Sequence, residues 1–189
     1  MNRIDIINSL ISRYGYTSYL EIGTATRACF DAIVCPVKKC VDPATGTTQY
    51  DFNMTSDDFF AQNTQQFDLI FIDGLHTAEQ VTRDVQNSLL WLNDGGRIVM
   101  HDCNPPTAQY ERYDACGTVW KAVYNLRCTR ADLAITVVDT EFGVGVIERE
   151  PAPRILHFNT YFTYELMASS REESLGLITE DEFLAGLRV

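Results

Sequence analysis

The ten residues FDLIFIDGLH, 67–76, constrain this chain more than any other stretch. Leu69, Ile70, Phe71 and Ile72 form an unbroken apolar run between Asp68 and Asp73. A run this short, apolar on successive rather than alternate residues, belongs to a strand covered on both faces, as in a parallel sheet flanked by helices. Gly74 then ends the strand and leaves Asp73 and His76 just past its C-terminal end. Ligands of open α/β sheets bind along that edge. A carboxylate and an imidazole placed there have the chemistry to hold a metal ion or to move a proton. The plainer alternative is an Asp that caps a turn and a His on a surface loop.

The flanking sequence repeats the pattern of strand, turn and helix. Ile7, Leu10, Ile11 and Tyr14 follow helical spacing and Gly15 stops the helix. Residues 17–22 read as a first strand, with a turn at Glu21-Ile22-Gly23-Thr24 and a helix over 24–34. Residues 37–41 read as a second strand ending at Asp42-Pro43, and 49–54 as a short third. Thr55 or Ser56 caps a helix over 57–63. Thr77 and Gln80 form a capping box for a helix over 78–92. Residues 97–100 are the next strand, ending at His101-Asp102-Cys103, and the loop that follows, to about 115, lies over the strand ends. By alternation along that strand, His101 points away from Asp102. A helix over 117–128 and two β-rich runs, 133–138 and 142–147, complete the pattern, the runs as an antiparallel hairpin. Pro151 and Pro153 mark a boundary, and two short helices follow it.

The expected organisation is therefore a core over residues 1–150, led by a helix within 1–15. A helical appendage over 151–189 packs on the core or on a second subunit of a homodimer. The chain has 189 residues, enough for one sizeable core. Its net charge of −11 argues against binding phosphate backbones, so no nucleic-acid partner is expected. No apolar run approaches the ~18 residues of a membrane span. The six cysteines show no zinc-binding spacing, and the N-terminus lacks a signal-peptide pattern. A cytoplasmic protein with reduced thiols is the expectation.

Asp42 follows Gly23 by 19 residues, and an acid at that distance from a glycine turn bonds ribose hydroxyls. Glycine turn and acid suit an adenosyl cofactor of more than one kind. As a dinucleotide fingerprint the turn is weak, because Ala25 and Ala28 stand where G-x-G-x-x-G wants glycine.

The order of elements, closed by a hairpin, resembles the class I methyltransferases. These use S-adenosylmethionine on a doubly wound, Rossmann-like α/β sheet of seven mostly parallel strands with an antiparallel last strand. The runs DLIFIDGLHTAEQVTRDVQ and LNDGGRIVMHDC resemble the small bacterial subfamily called methyltransferase 24. GTVWKAVYNLR, VVDTEFGVGVI and LITEDEFLAGL fit members of that group too. The resemblance implies that Glu21, Gly23 and Thr24 face the methionine end of the cofactor and that Asp42 binds its ribose. It also implies that Ser56 and Asp57 lie near the adenine, with Asp73 also in the cofactor site. It makes His76 the catalytic base, oriented by Asp73 or Asp102. Asp73 and Asp102 further match two of the three places that hold Mg²⁺ in metal-dependent relatives; the third is Cys103, a poor ligand for that ion. Arg27 replaces a motif glycine, where it would crowd the cofactor's carboxylate or pair with it. The implied activity is O-methylation of a hydroxylated small molecule such as a sugar or glycan precursor. The competing readings are an NAD(P)-dependent oxidoreductase and a relative that binds cofactor without catalysis.

Overall fold

The computed structural model of the chain describes residues 1–44 and 46–187. The FDLIFI run forms β3 (Phe67–Ile72), with β1 (Ser18–Ile22) on one side and β4 (Leu92–Met100) on the other, both parallel to it. The side chains of β3 alternate between two cores, as the period of a strand requires. Ile70 and Ile72 face Val81 and Val85 of α4 (Ala78–Leu90) and Trp120 and Val123 of α5 (Val119–Thr129). Leu69 and Phe71 face Ile6, Ile7 and Leu10 of α1 (Arg3–Tyr14), together with Phe30 of α2 (Ala28–Ala32). All four are at most 2 % exposed. Burial of each such side chain is worth about 1.5–3 kcal/mol, which makes this strand the anchor of a three-layer α/β/α body.

The remaining elements are β2 (Val37–Val41), α3 (Ser56–Gln62), β5 (Ala134–Val138), β6 (Val144–Glu148), α6 (Tyr164–Ser169), α7 (Arg171–Leu175), β7 (Leu177–Ile178) and α8 (Glu180–Gly186). The sheet has seven strands in the order β2-β1-β3-β4-β6-β5-β7. Only β6 runs against its neighbours; β7 pairs parallel to β5. The expected doubly wound, mostly parallel fold is present, with an antiparallel strand from the hairpin.

The strand count is reached by a different route from the expected one. Residues 49–54 make only an isolated bridge, Val41 to Phe52, at the β2 edge. Side chains take the backbone groups a ladder would use. Asp51 accepts from the Cys40 amide at 3.1 Å, and Arg27 donates to the Gln49 carbonyl at 2.6 Å. The seventh strand is β7, two residues between two short helices of the C-terminal segment, at the opposite edge. That segment therefore contributes to the sheet as well as helices. The helix expected over 24–34 is confined to α2, because Ala25 (φ +46°) and Arg27 (φ +67°) leave the helical region. The strand expected at 97–100 begins at Leu92.

Candidate active site

Three successive backbone hydrogen bonds align the strand ends. Gly23 donates to the Val41 carbonyl at 2.9 Å, Asp73 to Ile22 at 2.8 Å and His101 to Ile72 at 3.2 Å. This staircase brings Asp42, Gly23, Asp73 and His101 to one edge although they are scattered in sequence. Gly23 has φ +82°, and a Cβ there would lie 2.2 Å from the Asp73 carbonyl oxygen, so only glycine fits.

A cleft of about 460 Å³ opens at this edge, within the ~300–1,000 Å³ range of small-molecule sites. Glu21, Gly23, Thr24, Asp42, Asp73 and His76 line it, joined by Arg3, Cys29 and Tyr113. Glu21 is 1 % exposed, and the Tyr19 hydroxyl donates to it at 2.5 Å. Burial pushes its carboxyl up to about 7, against the Tyr19 hydrogen bond, with the Asp73 charge adding to the rise. Asp42 Oδ2 accepts from the Ala25 amide at 2.7 Å, which ties the glycine turn to the end of β2. Thr24 Oγ1 is buried without a partner, an unmet polar group of the kind a ligand satisfies.

Ser56 and Asp57 lie outside the residues that line the cleft; both accept from Gln80 Nε2 at 3.2 Å at the start of α3. Arg27 also turns away from it. Its guanidinium binds the Gln49 carbonyl and Asp31 and covers the Phe30 ring at 4.6 Å. The guanidinium that does line the cleft is that of Arg3, from the first turn of α1. Only its position at the start of a helix set it apart in the sequence.

At the other end of the cleft, four titratable side chains converge. His76 Nε2 is 3.5 Å from Asp73 Oδ1, and its Nδ1 is 3.3 Å from Asp102 Oδ2. Nδ1 also meets the Ala115 carbonyl, contributed by the loop after β4. That loop is held against His76 at its far end as well: Thr118 donates its amide to the His76 carbonyl at 2.9 Å. Gly117 (φ +55°) passes so close that a Cβ would lie 1.9 Å from the same carbonyl oxygen. The loop expected over the strand ends is there.

His101 departs from expectation. It does not point away from Asp102; its Nδ1 lies 3.5 Å from Oδ1 of both Asp73 and Asp102. Strand alternation fails because Asp102 has φ +61°, in the left-handed region. That twist swings two consecutive side chains to the same side. Cys103 is fully buried, its thiol directed to the carbonyls of His101 at 3.5 Å and Met100 at 3.7 Å.

The charges of the cluster reinforce one another. Burial raises the Asp73 carboxyl, but His101 and His76 outweigh it and hold it at about 2. His76 is raised above 6.5 by Asp73, against burial, with the Ala115 carbonyl helping. Burial lowers His101, but Asp102 and Asp73 outweigh it and raise it to about 9. Arg3 Nη1 lies 3.4 Å from His101 Nε2.

Asp73, His76 and Asp102 have donor atoms within 4.8 Å of one another. Two carboxylates can anchor Mg²⁺ when waters complete its oxygen shell, but here the third donor is an imidazole nitrogen. Cys103 faces elsewhere, and the His101 ring already stands between the two carboxylates. The donor set is a poor fit for Mg²⁺.

Residues 21–103 match a family model described as a methyltransferase domain. No curated protein matches the chain. The SAH-bound Podospora anserina methyltransferase PaMTH1 is similar in structure, with 14 % identity and a TM-score of 0.59 over 79 % of this chain and 80 % of that one. A putative O-methyltransferase from Klebsiella pneumoniae gives 15 % and 0.58 over 79 % and 80 %. The O-methyltransferase from Bacillus cereus in complex with SAH gives 12 % and 0.53 over 78 % and 80 %. The fold of the chain is the Rossmann-like fold of these methyltransferases.

Proposed function

We propose that this chain, whose residues 21–103 match a methyltransferase-domain model, transfers the methyl group of S-adenosylmethionine to a hydroxyl of a small molecule. The carrying observation is the position of His76. It lines the same cleft as Gly23, Glu21 and Asp42, with Nε2 beside Asp73 and Nδ1 engaged by the Ala115 carbonyl.

The cofactor fits the residues present. The Gly23 turn leaves backbone exposed where a side chain would clash, and Thr24 Oγ1 and Arg3 Nε are buried and unpartnered. S-adenosylmethionine supplies an electrophilic methyl on a sulfonium when bound. What the chain must add is alignment, worth about 7–11 kcal/mol of barrier, and a proton acceptor. A hydroxyl is a weak nucleophile until its proton is drawn off. The Ala115 carbonyl fixes the Nδ1–H tautomer of His76 and leaves Nε2 basic. With the cofactor bound, the proton of the acceptor hydroxyl would pass to Nε2 as its oxygen takes the methyl group. Asp73 then faces the imidazolium that forms. Asp102 and His101 hold Asp73 and His76 in register by charge. No step needs a metal.

A sugar or glycan precursor is the acceptor class to test first. Leu75 and Tyr113, 42 % and 74 % exposed, stand beside His76 in the cleft. An aromatic face next to an apolar side chain suits the C–H face of a pyranose ring. The test is calorimetry with S-adenosylhomocysteine, followed by methyl transfer from labelled cofactor to a panel of hydroxylated acceptors with and without EDTA. Binding, turnover and less than about twofold loss in chelator are expected. No heat with S-adenosylhomocysteine at millimolar concentration rejects the function. Binding with no turnover on any acceptor favours the non-catalytic relative.

A further inference from the structure

We propose that Arg3, the first residue of α1, holds the carboxylate of the cofactor's amino-acid end; this rests on the methyltransferase reading above. The amino-acid end of S-adenosylmethionine is a zwitterion, an ammonium and a carboxylate on one carbon. A site for it needs an acid and a base close together. Among the described residues lining the cleft there are three acids, Glu21, Asp42 and Asp73, and a single guanidinium, that of Arg3. Asp42 belongs to the end of β2, whereas Arg3 feels the charge of Asp73 and lies beside Cys29, which contacts Glu21. Arg3 and Glu21 therefore meet Asp73 where the glycine turn joins the titratable cluster.

The hydrogen bonding of Arg3 is incomplete in a way that points the same direction. Its backbone amide donates to Glu141 Oε2 at 2.7 Å, and Nη1 reaches the same oxygen at 3.4 Å and His101 Nε2 at 3.4 Å. Glu141 thus fixes the residue from the turn between β5 and β6. Nε is buried and has no partner. A guanidinium donates from five N–H groups in one plane, and a buried one left unused marks a missing acceptor. A carboxylate is the acceptor that matches this fork.

The plainer account is that Arg3 and Glu141 only pin α1 to the hairpin turn. The two accounts differ in what removing the guanidinium does to ligands that differ only in the carboxylate. The measurement is the affinity of the full chain for S-adenosylmethionine and for decarboxylated S-adenosylmethionine, in wild type, Arg3→Ala, Arg3→Gln and Arg3→Lys. Loss of a charge-assisted hydrogen bond should weaken S-adenosylmethionine roughly 10–100-fold in Arg3→Ala and Arg3→Gln, and the decarboxylated ligand less than about threefold. Arg3→Lys, which keeps the charge but not the fork, should recover only part of the difference. Equal losses for both ligands, or unchanged S-adenosylmethionine binding, overturn the assignment. If Arg3→Ala does not fold, Arg3→Gln carries the same comparison. A wild type that binds S-adenosylhomocysteine while the variants fail to discriminate rejects Arg3 alone. A wild type that binds no adenosyl ligand rejects the methyltransferase reading and Arg3 with it.

Discussion

The ends of β1 and β4 both break their strands with a residue at positive φ, and they do so by opposite means. After β1 the residue is Gly23, where the backbone passes so close to Asp73 that no side chain fits. After β4 it is Asp102, an L-residue held at φ +61°, a conformation costing roughly 1–2 kcal/mol. The first turn removes a side chain to let a ligand approach the main chain. The second accepts strain so that His101 and Asp102 face the same way, and the contacts of His101 with both carboxylates offset it. Under the proposed function, the cofactor end of the site is thus built largely from backbone, and the proton end from charges.

That contrast is open to direct test. The largest effect should come from Gly23→Ala. The added Cβ overlaps the Asp73 carbonyl, so loss of S-adenosylhomocysteine binding and destabilisation of at least about 2–3 kcal/mol are expected. Calorimetry and urea melts measure both; a variant that binds normally would break the backbone half of the comparison. His76→Ala should cut turnover about 10²–10⁴-fold with cofactor affinity within about twofold of wild type. Normal turnover would remove His76 as the base.

Smaller effects concern the charges. Asp73 sits below its ordinary value, so its contribution is present above about pH 4 and disappears as pH falls toward 2. His101 sits above its ordinary value, so its contribution is full below about pH 6.5 and disappears as pH rises through 9. Glu21, raised to about 7, contributes a separate loss that runs from about pH 4.5 to 7 and is complete above that, because the folded state disfavours its charged form. Between pH 6.5 and 9.5 the protein should lose on the order of 2 kcal/mol, roughly 4–8 °C in Tm for a chain this size. His101→Gln should flatten most of that slope in a thermal melt; an unchanged slope refutes the ion contacts. Least of all, Ala25→Gly should relieve the φ of +46° and shift stability by less than about 1 kcal/mol in either direction. A larger loss would mean that the Ala25 methyl packs in a way its backbone angle does not reveal.

The same contrast explains what could be read without coordinates. The FDLIFI strand, the cap at Thr77, and the acids at the ends of β2, β3 and β4 follow from local rules, and the structure places Asp42, Asp73 and Asp102 on one edge. The hairpin and its antiparallel strand were legible for the same reason. His101 was misread because the rule of alternation holds only while every residue keeps strand angles, and Asp102 does not. Residues 49–54 carry strand-like sequence, but the Asp51 side chain occupies the Cys40 amide. β7 is two residues long, too short to show a period. Arg27, expected at the cofactor's carboxylate, turns away, and Arg3, of which nothing was expected, lines the cleft, because a side chain's direction depends on the backbone turn beneath it, which the spacing of residues does not encode.

One loop serves two purposes. Residues 113–118 supply Tyr113 to the cleft, and they also hold His76 through the Ala115 carbonyl, the Thr118 amide and the close passage of Gly117. Under the proposed function, selection for a new acceptor would work mainly on such a loop, and the same mutations would reach the proposed base His76. Changes in specificity and changes in catalytic power would then be epistatic. Variants that redesign the mouth at Tyr113 while keeping the spacing of Ala115, Gly117 and Thr118 have a passable evolutionary route; insertions between those residues do not.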